Sequence, residues 1–212
     1  CGVSKLVTAG TDTLAIRVPE HRLARSLLNR FDGPVAAPRA NPSGFLSPTS
    51  ADHVLAGLTG KIAAVVDGGT CSVGLESTIV DVSGEPKLLR PGGIPKEAIE
   101  NCLGREVPYF TDSKNPASPG QLTSHYATRA PLRLNATSAE EGEVFLGFGQ
   151  CDAEFNLSAS ADLTEAAANL FGLLHLIDEH AKGRRIAVAQ IPMSGLGLAI
   201  NDRLSRAAAP RP

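Results

Sequence analysis

The chain has 212 residues, 42% of them apolar and 20% charged, with 20 basic side chains against 22 acidic ones and a net charge of −2. That balance is ordinary for a folded soluble protein of one large or two small domains, and it excludes global disorder and nucleic-acid binding by bulk charge. No apolar run reaches the roughly 18 residues that a membrane span needs, and the opening CGVSKLVTAGTD is no signal peptide, so the expected location is the cytoplasm, with no membrane partner.

The first elements alternate between the two periodicities. TLAIRVP (13–19) reads as a strand, EHRLARSLLNRF (20–31) as a helix with Leu23, Leu27 and Leu28 on one face, and PVAAP (34–38) as a buried strand. The chain then breaks into Pro, Asn, Ser and Gly, and Arg39 is the sole charged residue between Asp32 and Asp52. Ser47 followed by Pro48 reads as an N-cap with proline at the first helical position, ahead of the helix SADHVLAGL (50–58). Strands are expected at IAAVVD (62–67), STIVDVS (77–83) and KLLRP (87–91), and PKEAIENCLG (95–104) closes the set as a helix that begins near Pro95 and ends at Gly104.

Residues 105–130 lose all periodicity and read as a linker, which at that length is either functional or disordered. The α/β pattern then restarts with APLRLNA, GEVFLGFG, the helix LTEAAANLFGLLHLIDEH (163–180), the strand RIAVAQIP (185–192) and the helix LGLAINDRLSRAAA (196–209). No internal repeat is present. Two α/β domains joined by an extended connector are expected.

Chemistry-bearing residues gather at element boundaries. The Ser47 cap either holds a phosphate on free amides and a hydroxyl or simply caps a helix. In GTCSVGLESTIVD (69–81), Glu76, Ser77 and Thr78 stand at a strand entrance, where they either read a polar ligand or form a turn. In LLRPGG (88–93), Arg90 ends a strand before open backbone, placed over a cleft or on the surface. The four cysteines (Cys1, Cys71, Cys102, Cys151) form no C-x-x-C pair, which argues against zinc and disulfides alike. His175 falls on an apolar helix face, and His21 and His53 on exposed ones. No nucleophile elbow, P-loop or dinucleotide fingerprint occurs.

Taken together, APRANPSG…SPT, VGLESTIVD, LLRPGGI and SPGQLTSHYATRAPL resemble the threonylcarbamoyl-AMP synthase family in its long form, over essentially the whole chain. The resemblance implies a YrdC-like twisted open-sheet domain, incomplete here (1–108), then a linker (109–131) and a small Rossmann-like α/β domain (132–212). It implies condensation of L-threonine, bicarbonate and ATP, with Mg²⁺ on the phosphates, into threonylcarbamoyl-AMP and pyrophosphate. The product would pass to the machinery that modifies tRNA beside the anticodon, and RNA is a partner the resemblance also implies. By the same resemblance Thr13, Ala37, Ser47 and Arg90 contact ATP or the adenylate, Arg17 and Ser77 contact threonine, and Tyr126 closes the linker over the nucleotide.

Two departures accompany the resemblance. The family's S-A-N triplet reads Arg39-Ala40-Asn41 here, so that Arg39 replaces a serine expected on the phosphates, while Asn41 is retained among the ATP contacts. The family's upstream T-x-T-x-Y-G-L-like and K-x-R segments are not in this sequence, and the 212 residues by themselves are expected to be inactive. The competing readings are a nucleotide- or RNA-binding α/β module without turnover, and a carbamoyl-transfer accessory domain. The second is disfavoured because no zinc-finger or acylphosphatase-like segment adjoins it.

Overall fold

The computed structural model describes residues 4–8, 10–110 and 125–210, and the chain divides into two compact units, Cys1–Arg39 and Ala40–Pro212. Among its described residues the first unit holds one helix, α1 (Arg22–Phe31), which ends where Asp32 turns left-handed at φ 53° and returns its N–H to Leu28 O. Leu23, Leu27 and Phe31, spaced four apart, share one face and stay exposed.

In the second unit Ser50 caps α2 (Ala51–Leu58), accepting the His53 N–H on its hydroxyl at 3.3 Å. The strands β1 (Ile79–Asp81) and β2 (Lys87–Arg90) form an antiparallel hairpin. Its turn is tied by Asp81, whose Oδ1 accepts from the Ser83 amide and hydroxyl at 2.9 and 2.7 Å. The helix α3 (Lys96–Leu103) starts after Pro95 and stops at Gly104, whose φ of 64° supplies the left-handed cap.

The rest of this unit is a parallel sheet of β3 (Leu132–Ala136), β4 (Val144–Gly147), β5 (Phe155–Asn156) and β6 (Ile186–Ala189) in the order β3-β6-β4-β5. The runs VFLG and IAVA are apolar throughout because both faces are covered. Val144, Leu146, Ile186 and Val188 face the main core, and Phe145 and Ala187 join Ala136 in a smaller cluster.

The 19-residue helix α4 (Leu163–Ala181) makes the crossover from the β4–β5 side to β6. Asp162 caps it by accepting the amides of Thr164 and Glu165, and it buries Leu170, Phe171, Leu174 and Ile177, each contributing about 1.5–3 kcal/mol on full burial. Beside it lies α5 (Gly197–Ala208). Leu46 and Tyr126 belong to the same core, so the segments around them are anchored by the sheet and α4.

The α/β architecture and all five expected helices form, but several finer expectations fail. Residues 13–19, 34–38 and 62–67 form no strand among the described residues. Ile16, Val18, Val35, Ile62 and Val66 are instead exposed, because an apolar run becomes a strand only where another strand pairs with it. The cap of α2 is Ser50, not Ser47, and Pro48 precedes the helix.

The two described ends of the expected linker are anchored. At one end Leu88 N–H of β2 donates to Pro108 O and Phe110 N–H donates to Leu88 O, both at 2.9 Å. At the other, His125, Tyr126, Thr128 and Ala130 are buried. Residues 111–124 lie outside the described set.

Candidate functional site

Two glycines decide the local geometry of the second unit. Gly74 sits at φ 69° with α4 so close that a Cβ would meet Ala167 O at 2.1 Å. Gly92 brings the loop after β2 onto the entrance of β1, where a Cβ would lie 2.3 Å from Glu76 O and 2.4 Å from Thr78 N. The two segments are then fastened together. Gly93 N–H donates to Glu76 O at 2.9 Å, and Thr78 Oγ1 donates to Ile94 O at 2.7 Å. Arg90, buried, donates Nε and Nη2 to Ser77 O at 3.2 and 2.7 Å.

Glu76 is the hub of this region. Its Oε1 accepts the Ser47 hydroxyl at 2.6 Å and its Oε2 accepts Arg203 Nε at 2.8 Å. Arg203, on α5, has no exposed surface at all. It donates Nη1 to Asp202 Oδ2 at 2.7 Å and Nη2 to Pro91 O at 3.0 Å, and its guanidinium carbon lies 5.5 Å from the centre of the Tyr126 ring. Burial, the largest single influence, opposes its charge, but Glu76, Tyr126 and Asp202 together outweigh it and raise the pKa above the ordinary arginine value. Asp202 also takes Arg206 Nε and Nη2 at 3.0 and 2.9 Å.

Tyr126 is fully buried, with φ 61°, between His125, Phe171 and Arg203. Ser47 is held from a second side. His175 Nε2 lies 3.2 Å from Ser47 O and stacks on His53 at 4.0 Å between ring centres, and His53 Nδ1 accepts the Thr49 amide at 3.2 Å. His53 is thus half-buried rather than exposed as its helical pattern suggested. Burial, then the neighbouring His53, lowers the pKa of His175.

Ser47, Ser77, Arg90 and Tyr126 are therefore linked by one hydrogen-bonded and packed network, with Ser77 exposed at its edge. Asn41 stands in the same unit, where its Nδ2 ties the loop by donating to Phe45 O and Leu46 O at 3.1 and 2.8 Å. Thr13, Arg17, Ala37 and Arg39 belong to the first unit. There Arg17 Nη2 reaches Ala37 O at 3.5 Å, Thr13 O accepts the Thr11 hydroxyl at 3.1 Å, and Arg39 is half-buried.

Sequence reasoning missed Arg203. The available signal was its position at the core-facing spacing of α5, with Ile200, Leu204 and Ala207, where a charge requires buried partners. Among the described residues no three His, Cys, Asp or Glu side chains gather as metal ligands. No helix of the described residues is long and apolar enough to cross a membrane.

Residues 2–92 match the family model described as Telomere recombination, and residues 94–209 match that of the threonylcarbamoyl-AMP synthase C-terminal domain. The chain is 38% identical over 235 residues to the threonylcarbamoyl-AMP synthase of Bacillus subtilis (strain 168), covering 99% of this chain and 67% of the relative. It is 36% identical over 228 residues to that of Pyrococcus abyssi (strain GE5 / Orsay), covering 97% and 66%. The crystal structure of P. abyssi Sua5 complexed with L-threonine superposes with a TM-score of 0.86 at 34% identity, covering 97% of this chain and 67% of the other. The chain thus spans about two thirds of the length of these relatives.

Proposed function

The chain belongs to the threonylcarbamoyl-AMP synthase family, and from that premise we propose that the protein carrying it condenses L-threonine, bicarbonate and ATP into threonylcarbamoyl-AMP. The observation that carries this reading is the likeness, over almost the whole chain, to a relative solved with L-threonine bound.

In the reaction the threonine amine takes up bicarbonate as a carbamate with loss of water. A carbamate oxygen then attacks the α-phosphate, and pyrophosphate leaves. No covalent nucleophile is needed. The work is the alignment of two anions and the neutralisation of charge on the departing pyrophosphate.

Arg17 and Ser77 would hold threonine, and Thr13, Ala37, Ser47 and Arg90 the nucleotide, with Tyr126 beside it. Asn41 would act by holding the loop that carries Ser47, consistent with its two bonds to backbone carbonyls. Arg39 stands where the family has a serine, and its longer charged side chain would intrude on the phosphates. Mg²⁺ would arrive on ATP and belong to the substrate, since Glu76 and Asp202, the carboxylates described in this network, are already taken by Ser47, Arg203 and Arg206. The reaction would run in the cytoplasm, upstream of the tRNA-modifying machinery.

The test is pyrophosphate release by the natural polypeptide that carries these residues. Release that requires threonine and bicarbonate together supports the reading. ATP binding without release would instead make the domain a nucleotide-binding module.

A further inference from the structure

Buried arginines are costly unless every donor is well placed, and an apolar side chain of similar volume would often fill the same space at no electrostatic cost. Arg203 is the largest fully buried side chain among the described residues, and its fork is spent on three separate stretches of chain. It bonds Glu76, the neighbour of Ser77, and Pro91 O, the neighbour of Arg90, and its guanidinium lies against Tyr126. Through Glu76 it also reaches the Ser47 hydroxyl. Four of the side chains proposed to touch substrate are thus one bond or one residue away from a single guanidinium on α5.

We propose that Arg203 is a positioning residue that sets the ligand-contacting geometry of Ser47, Ser77, Arg90 and Tyr126, making α5 part of the substrate site without touching substrate. The proposal rests on the functional reading above for the identity of the ligands. The coupling itself is a property of the apo chain.

The physical reason lies in the shape of the fork. Nε and the two terminal nitrogens lie in one plane at fixed angles, so fixing Glu76 and Asp202 also fixes where Pro91 O must stand. Lysine keeps the charge but offers a point donor on a flexible stem, and it cannot hold three partners in one plane. Its loss of function therefore measures geometry, not charge.

The experiment uses the natural polypeptide that carries these residues, with Arg203→Lys and, as a second variant that keeps the arginine, Glu76→Gln. Each is combined with Ser47→Ala. Three quantities are read: the circular dichroism spectrum, the fluorine resonance of Tyr126 in fluorotyrosine-labelled protein, and the dissociation constants of ATP and L-threonine. The signal that disappears in Tyr126→Phe assigns the resonance.

The expected result is a folded Arg203→Lys protein with a displaced Tyr126 resonance and affinity for ATP or threonine at least about tenfold weaker, or about 1.4 kcal/mol. Ser47→Ala should then cost much less in the Arg203→Lys background than alone, because both act on one carboxylate. Should Arg203→Lys fail to fold, the same outcomes are read from Glu76→Gln. An unmoved Tyr126 resonance overturns the proposal whether or not ligand binds, and so do additive losses or affinities within twofold of the parent. A parent protein that binds neither ligand counts against the functional reading, while the resonance still decides the coupling.

Discussion

Replacing Gly92 by alanine tests the seat of Ser77 and Arg90. A Cβ there would stand 2.3 Å from Glu76 O, 2.4 Å from Thr78 N and 2.5 Å from Ser77 C. All three are backbone atoms, so no rotamer change relieves the clash, and reaching ordinary contact at 3.4 Å requires the two segments to part by about 1 Å. That movement breaks the 2.9 Å bond from Gly93 N–H to Glu76 O and strains those from Arg90 to Ser77 O. Overpacking of this kind costs about 1–3 kcal/mol. At roughly 2–4 °C per kcal/mol for a chain of this length, the thermal midpoint should fall by about 2–12 °C.

The functional effect should be larger, because a misplacement of about 1 Å in positioned groups costs on the order of a hundredfold. Calorimetry gives the midpoint and isothermal titration gives the threonine and ATP affinities. Gly84→Ala, where a Cβ meets nothing within 4 Å, is the control. A Gly92→Ala protein with the parent's midpoint and affinities would refute the close-approach argument.

In the natural polypeptide that carries these residues, Arg39→Ser should raise adenylate formation by at least about tenfold, or about 1.4 kcal/mol of transition-state stabilisation, and an equal or slower serine variant would make Arg39 a genuine ligand. Glu143 is held by Arg133, and then by the Glu140 amide, at a pKa of about 2 against the usual 4.5. Its ion pair stabilises the fold fully above pH 4.5 and is lost as the pH falls towards 2, so Glu143→Gln should lower the midpoint at neutral pH and flatten its acid dependence, as read from melts across that range. His175 has a lowered pKa, so the unfolded chain takes up its proton first and stability should drop as the pH falls below 6.5. His175→Gln should make that drop shallower in parallel melts.

The elements that read true from sequence are those whose signals are local. Gly104 marks the end of α3 through its own backbone conformation, and the apolar runs of β4 and β6 are long enough to require burial. The runs at 13–19, 34–38 and 62–67 misled because strand formation depends on a partner that the run itself does not specify. The two-residue β5 was invisible for the opposite reason. Its pairing comes from β4 and not from any pattern of its own.

The site followed the same division. Ser47, Ser77, Arg90 and Tyr126 were legible as motif residues, but what joins them was not. Glu76 and Arg203 meet across 127 positions of sequence, and only the docking of α5 beside β3 and α4 brings them to 2.8 Å. Ser47 was misassigned because Ser-Pro imitates a helix start, whereas its hydroxyl is taken by a carboxylate 29 residues away.

The central claim is that threonine and bicarbonate are joined and adenylated in one site. It is tested most directly by supplying heavy-carbon bicarbonate with ATP and L-threonine to the natural polypeptide that carries this sequence, and analysing the nucleotide products by mass spectrometry. The account predicts a threonine-bearing adenylate carrying one heavy carbon, formed in step with pyrophosphate. Pyrophosphate release with no such adenylate, or an adenylate without the label, would contradict it.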